Sequence, residues 1–246
     1  MLARAGVASR RGAEALIEAG RVTIGGRRAV LGDRVAAGDE LRVDGRIVER
    51  AAEHRTFALH KPRGVVTSAA DERGRTTVLD LLPAVAGLHP VGRLDLDSEG
   101  LLLLTTDGEL TLRLTHPRYG HGKTYRVWCV GGTPDAVALA RLRDGVLLDD
   151  GWARADGVRP VAGGAVVVLR EGRKRQVRRM FAAVGAQVER LVRTRVGAIA
   201  LGDLPAGTWR ELGAEEVERL RYTLDDAGRD PGRGAAGRSG TRRRHS

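Results

Sequence analysis

Residues 91–108, VGRLDLDSEGLLLLTTDG, join an acidic turn to four consecutive leucines. The leucine run at 101–104, entered through Gly100, reads as a short buried strand, so the turn ahead of it sits at the end of a core element. In that turn Asp95 follows Arg93 and Leu94, with Asp97 and Glu99 close behind. A carboxylate held beside a cation keeps its negative charge and can act as a nucleophile or base. The plainer reading makes all three acids solvated turn residues, and the stretch alone leaves both open.

The chain has 246 residues and a formal net charge of +11, which points to a polyanionic partner. Its basic side chains are mainly arginines, suited to bidentate phosphate contacts; Lys61, Lys123 and Lys174 are the only lysines. Aromatic residues make up 3% of the sequence, too few for a base-stacking sheet of the RNA-recognition or OB kind. The single cysteine, Cys129, cannot form an internal disulfide and reads as a core thiol of a reducing compartment. The six histidines lack metal-ligand spacing and the sequence has no dinucleotide-binding glycine loop, so no metal and no cofactor are expected. The N-terminus has no apolar leader, and the leucine run is far too short to span a bilayer, so a cytoplasmic protein with no membrane partner is expected.

Residues 1–48 read as a compact helix–β unit. Ser9 can cap a helix carrying Ala13, Leu16 and Ile17, with Gly20 as its stop. Strand-like pieces follow at 21–24, 34–35 and 40–43, with a Gly25-Gly26 turn between the first two. A polar linker at 49–55 leads into a block at 56–222. There the pattern predicts strands at 57–60, 101–105, 124–130, 165–169 and 195–201, and helices at 76–82, 108–115, 134–143, 175–184 and 214–221. The lack of regular βα alternation favours an α+β fold with a mixed or antiparallel sheet over a doubly wound one. The tail at 223–246 is rich in Arg and Gly. Its last twenty residues carry six arginines against one aspartate, a composition that reads as disordered and suits an RNA-binding arm.

Two further motifs bear on function. In LARAGVASRRGAEALIEAGRVTIGG (2–26), Arg10 and Arg11 at a helix start and Arg21 at its exit place three cations near one edge, where helix amides add partial positive charge. In EGRKRQVRRMF (171–181), Arg173, Lys174, Arg175, Arg178 and Arg179 crowd the junction of a strand and a helix. Either could be a solvated basic face.

The first motif resembles the S4 RNA-binding domain. HKPRGVVTS (60–68), VGRLDLDSEGLLLLTTDGEL (91–110), KTYRV (123–127) and EGRKRQVRRMF, in this order, resemble the bacterial rRNA pseudouridine synthases that carry an N-terminal S4 domain. That family comprises type A, which acts on small-subunit rRNA, together with types B, E and F, which act on large-subunit rRNA. The resemblance covers residues 2 to about 222 and is nearest to type B. It implies an S4-like domain at 1–48, a catalytic domain at 56–222, and isomerisation of a specific uridine in ribosomal RNA, with a hairpin or assembly intermediate of 23S rRNA as the expected substrate and a monomer as the expected state.

The resemblance also assigns roles. Asp95 is implied as the catalytic aspartate, adding to C6 of the uracil, attacking C1′ or taking the C2′ proton. Arg178 is implied as its charge partner, with Arg175 as the fallback. Tyr125 is implied to stack on the uracil, and Arg93 to fill the gap left by the flipped nucleotide. Arg10, Arg11, Arg21, Lys61, Arg173, Lys174, Arg175 and Arg179 are expected to contact RNA. Gly92 and Gly100 are expected to let the backbone approach the RNA, and Asp97 and Glu99 to be structural. Two departures stand out. Gly25 replaces the family's usual Asn in the turn, and His121-Gly122 replaces a hydrophobic–acidic pair ahead of Lys123. The competing readings are an rRNA-binding assembly factor that lost catalysis, and an S4 protein of ribosome rescue or heat shock, which would not need residues 56–222.

Overall fold

The computed structural model describes residues 1–221 except 3, 4, 6, 9, 37, 49–53, 69, 70 and 72. The Ser9 cap, most of the expected linker and the basic tail lie outside the described residues.

The first part of the chain contains α1 (Arg10–Glu18), β1 (Val22–Ile24), β2 (Arg27–Arg28), β3 (Leu41–Val43) and β4 (Arg46–Ile47). The strands form an antiparallel sheet in the order β2-β1-β3-β4. Leu2, Ala13, Val22, Ile24, Ala29 and Leu41 make its core, which is separate from the rest of the molecule's apolar clusters. The strand expected at 34–35 is absent: those residues are irregular, beside a turn where Asp33 accepts from the Val30 amide and from Arg27.

The second part runs β5 (Thr56–Lys61), β6 (His89–Pro90), β7 (Glu99–Thr105), α2 (Gly108–Thr115), β8 (Lys123–Cys129), α3 (Ala136–Asp144), β9 (Val146–Leu148) and β10 (Gly151–Ala153). It continues with β11 (Gly157–Val161), β12 (Gly164–Leu169), α4 (Gln176–Ala183), β13 (Val188–Val196), β14 (Ile199–Ala200), β15 (Trp209–Glu211) and α5 (Ala214–Arg221). Among the described residues, nine strands join one sheet along the path β11-β12-β8-β13-β7-β5-β15, with β6 on β7 and β14 on β13; β9 and β10 form a separate hairpin. The β7–β13 pairing is parallel and the others are antiparallel. The α+β expectation therefore holds.

All seven residues of β7 are buried, because the sheet is covered on both faces. Leu102 and Leu104 join Phe57, Leu59, Val127 and the α4 residues Val177, Met180 and Phe181. Leu101 and Leu103 pack on the opposite side with Leu110 and Leu114 of α2 and Leu220 of α5. Each fully buried leucine contributes roughly 1.5–3 kcal/mol. The central layer is thus rigid, and the 93–98 turn hangs from the start of its best-buried strand.

Two expectations fail locally. No α-helix forms over 76–82. Leu79–Leu81 is a single 3-10 turn, opened by the Asp80 carboxylate accepting from the Thr77 amide and hydroxyl at 2.7 and 3.0 Å. Pro83 two residues on disfavours helical continuation. The strand expected at 195–201 is instead the long β13, ending at Val196, with Ile199–Ala200 folding back on it.

Candidate active site

Asp95 lies in a cavity of about 520 Å³ whose lining includes Arg93, Ser98, Lys123, Tyr125, Lys174 and Arg193. The turn that carries it is fixed at every carbonyl from 93 to 98. Arg193 Nη1 donates to the Arg93 carbonyl at 3.3 Å, and the Thr67 hydroxyl to that of Leu94 at 2.8 Å. Lys61 Nζ donates to the Asp95 and Ser98 carbonyls at 3.1 and 2.9 Å. The Gly64 amide donates to Leu96 at 2.8 Å, and Arg178 Nη2 to Asp97 at 3.0 Å. Most of these donors lie in HKPRGVVTS, which therefore clamps the turn. A backbone held at six successive positions presents its side chain in one geometry, as a reacting group requires.

The Asp95 carboxylate makes no hydrogen bond or ion pair among the described residues, although Lys61, Arg175 and Arg178 contribute to the field it experiences. Tyr125 of β8 is 8% exposed, lines the same cavity, and has a hydroxyl free of partners among the described residues. A carboxylate and a phenol stand unengaged in one pocket, and the pocket is wide enough for a nucleotide base.

Several expected roles are relocated. Arg178 does not pair with Asp95. Its guanidinium engages Asp97, with Nε 3.3 Å from the carboxylate, and Nη1 donates to the Val188 carbonyl. Arg175, the fallback, also pairs with Asp97, at 2.8 and 3.0 Å. Burial pushes the Asp97 carboxyl up, but Arg175 and Arg178 outweigh it and hold it below its ordinary value. Asp97 thus ties the turn to α4, in keeping with a structural role. Glu99 does similar work, binding Arg190 at 2.8 Å and Arg63 at 3.2 Å.

Lys61 cannot contact RNA, because its side chain is wholly buried under the turn it holds. Burial pulls its ammonium down to about 8. Lys61→Met removes the donor to three carbonyls, those of Pro62, Asp95 and Ser98. The expected result is a loss of about 2–3 kcal/mol of stability, read from the denaturant midpoint, because orphaned buried acceptors cost more than the relieved charge returns. An unchanged midpoint would mean the clamp carries no energy.

The basic run at 173–179 is largely neutralised internally. Arg173 contacts Glu171, Asp150 and the Trp152 carbonyl, and Arg179 contacts Asp149 and Asp150. Lys174 is exposed and unpaired among the described residues, as is Arg93 at the cavity mouth. In the N-terminal part Arg11 is exposed, while Arg21 is paired with Asp44 at 2.8 Å; the Arg10 side chain lies outside what the structure describes. Gly100 serves the protein rather than RNA, because its missing Cβ is what lets β13 approach: an added one would lie 2.4 Å from the Arg193 carbonyl oxygen. The residue that sequence reasoning missed is Arg193, 3% exposed at the cavity and engaged with the turn.

Comparison with known proteins converges on the same two parts. Residues 55–149 match the family model for RNA pseudouridylate synthase, and residues 1–41 match that for the S4 domain. Over 239 residues the chain is 45% identical to ribosomal large subunit pseudouridine synthase B of Escherichia coli strain K12, covering 92% of this chain and 82% of that protein. The Bacillus subtilis protein of the same name is 41% identical, with 92% and 95% covered. The Haemophilus influenzae one is 44% identical, and the match covers 90% of this chain and 66% of that protein. A crystal structure of a pseudouridylate synthase superposes with a TM-score of 0.63 at 30% identity, covering 89% of this chain and 96% of the other. No helix among the described residues is long and apolar enough to cross a membrane.

Proposed function

The chain belongs to the RNA pseudouridylate synthases that carry an S4 domain, and from that premise we propose that Asp95 and Tyr125 are the residues with which it converts a uridine of ribosomal RNA to pseudouridine. The observation that carries this reading is the unengaged Asp95 carboxylate and Tyr125 hydroxyl in one pocket, the first on a turn whose six carbonyls are all held and the second on β8.

The uridine must leave its stack, since C1′ is inaccessible inside a helix; this costs a few kcal/mol, less for a loop nucleotide. The flipped base stacks on Tyr125. Asp95 acts as a carboxylate at C6, at C1′ or on the C2′ proton. The C1′–N1 bond breaks, the ring turns, C1′ joins C5, the C5 proton departs to solvent, and N1 takes up a proton from solvent in its place. The product is an isomer of the substrate, so no redox partner enters the balance. Arg178 and Arg175 act through Asp97 as positioning residues, and exposed Arg93 at the mouth fills the space the nucleotide vacates. Residues 1–48 dock the RNA as an S4 unit and 56–222 carry out the chemistry, on a hairpin or assembly intermediate of 23S rRNA, with the protein acting as a monomer.

Ribosomal RNA labelled with tritium at C5 of uridine tests the reading: turnover releases one tritium for each pseudouridine. An rRNA-binding factor that lost catalysis would bind the same RNA and release none.

The Arg-rich tail adds charge and little sequence information. Removing 227–246 should weaken RNA binding about tenfold at physiological salt and flatten the salt dependence, leaving the rate at saturating RNA unchanged. A large fall in the saturated rate would place the tail in the chemistry instead of on the phosphates.

A further inference from the structure

Three cations sit beneath the turn without a carboxylate to pair with: Lys61, Lys123 and Arg193 form no ion pair among the described residues. Lys61 is accounted for by its three carbonyls. The other two are not. Lys123 Nζ has a single long contact, 3.3 Å, to the His121 carbonyl. Arg193 gives Nε to the Leu101 carbonyl at 2.7 Å and Nη1 to that of Arg93, and its buried Nη2 has no partner. Both residues line the cavity that holds Asp95 and Tyr125.

Uncompensated charge removed from water is costly, so a fold that keeps a buried Arg193 beside a half-buried Lys123 is preorganised for an anion. The cavity's own acids do not supply one. Glu171 is engaged by Arg173 and Gln176, and Asp95 contacts neither cation.

We propose that Lys123 and Arg193 form the site that receives the negative charge the target uracil acquires as its C1′–N1 bond breaks. The inference rests on the pseudouridine synthase reading above. When that bond breaks, its electron pair stays with the ring and spreads over N1 and the two carbonyl oxygens. If Asp95 first adds to C6, the charge reaches the C4 carbonyl oxygen instead. Every route therefore places anionic oxygen on the base, and the pair is returned when C5 bonds to C1′ and sheds its proton. A backbone phosphate is the other anion present, but exposed Arg93 and Lys174 suit that partner. Arg193 is almost entirely enclosed and lines the cavity together with Asp95 and Tyr125.

Burial pulls the Lys123 ammonium from 10.5 to about 8, aided by Arg193; His121 on the preceding loop is itself lowered by burial and by Lys123. The folded protein thus binds fewer protons than the unfolded chain between about pH 8 and 10.5. The lysine's penalty is present below that window and fades as pH rises through it.

The test compares wild type, Lys123→Met, Lys123→Arg and Arg193→Lys by tritium release and thermal melting. Losing one preorganised donor should lower kcat of Lys123→Met about 10²–10³-fold while KM stays within about threefold. Its melting temperature at neutral pH should be equal or higher, which a merely structural lysine would not give. The wild-type kcat/KM should fall above about pH 8, and Lys123→Arg should stay active and lose the part of that limb that Lys123 sets, Lys61 under the turn supplying the rest. Arg193→Lys, which keeps the charge and loses the fork, should also act on kcat. A kcat for Lys123→Met within about threefold of wild type, or a KM raised about tenfold at unchanged kcat, would overturn the proposal, the latter in favour of a phosphate site. If wild type itself releases no tritium, the pseudouridine synthase reading has failed and this inference falls with it.

Discussion

Asp95→Asn is expected to reduce the saturated rate of pseudouridine formation by at least about 10⁴-fold, because removing a group that acts covalently or as the base removes the reaction path itself. The amide has the same size and shape but can serve neither as nucleophile nor as base. The substitution should be silent elsewhere. The wild-type carboxylate makes no bond within the described residues, so the fold loses nothing. The turn is held through its backbone, with Lys61 and the Ser98 amide on the residue-95 carbonyl, and those contacts do not depend on the side chain. RNA affinity and melting temperature should match wild type. Full turnover by the Asn protein would remove Asp95 from the mechanism, and a loss of folding would show that the carboxylate had a structural role that the geometry does not reveal.

What the sequence made legible follows physical lines. That Asp95 and Tyr125 belong to one cavity was legible because the motifs that carry them are contiguous and flank core strands. The central strands followed from apolar runs such as the leucines of β7. Charge partners were a different matter. Arg175 and Arg178 meet Asp97 across about eighty residues, and nothing local distinguishes that carboxylate from Asp95. Five cations within seven positions suggested phosphate donors, yet Asp97, Asp149, Asp150 and Glu171 neutralise most of them. Lys61 and Arg193 were hidden for a related reason. A lysine beside a proline and an arginine in VERLVRTRV look like surface residues, and only tertiary structure shows which cation is enclosed. The failed helix at 76–82 had a helical apolar pattern, and the local bonds of Asp80 to Thr77 won against it.

Gly100→Ala should be among the most destabilising glycine substitutions in the second part of the chain, alongside Gly164→Ala, whose added Cβ would lie 2.0 Å from the Val127 carbonyl oxygen. Gly100 has φ +110, where an alanine is strained, and its added Cβ would lie 2.4 Å and 2.5 Å from the carbonyl oxygen and nitrogen of Arg193. Both atoms are backbone in the paired register Arg193↔Gly100, so no side chain can swing aside and the strands must part. Positive φ alone costs about 1–2 kcal/mol, and the clash should bring the total to at least about 4 kcal/mol. For a chain of this length that is a fall of roughly 8–16 °C in melting temperature. Gly185→Ala provides the control, since its φ of +80 brings the same kind of strain with nothing within 4 Å of the added atom. It should lose only about 1–2 kcal/mol. Equal losses in the two variants would show that the close approach of β7 and β13 is not what Gly100 protects. The approach matters beyond stability because it delivers Arg193 to the Arg93 carbonyl at the head of the turn. Below its melting point, Gly100→Ala should therefore also turn over more slowly than Gly185→Ala.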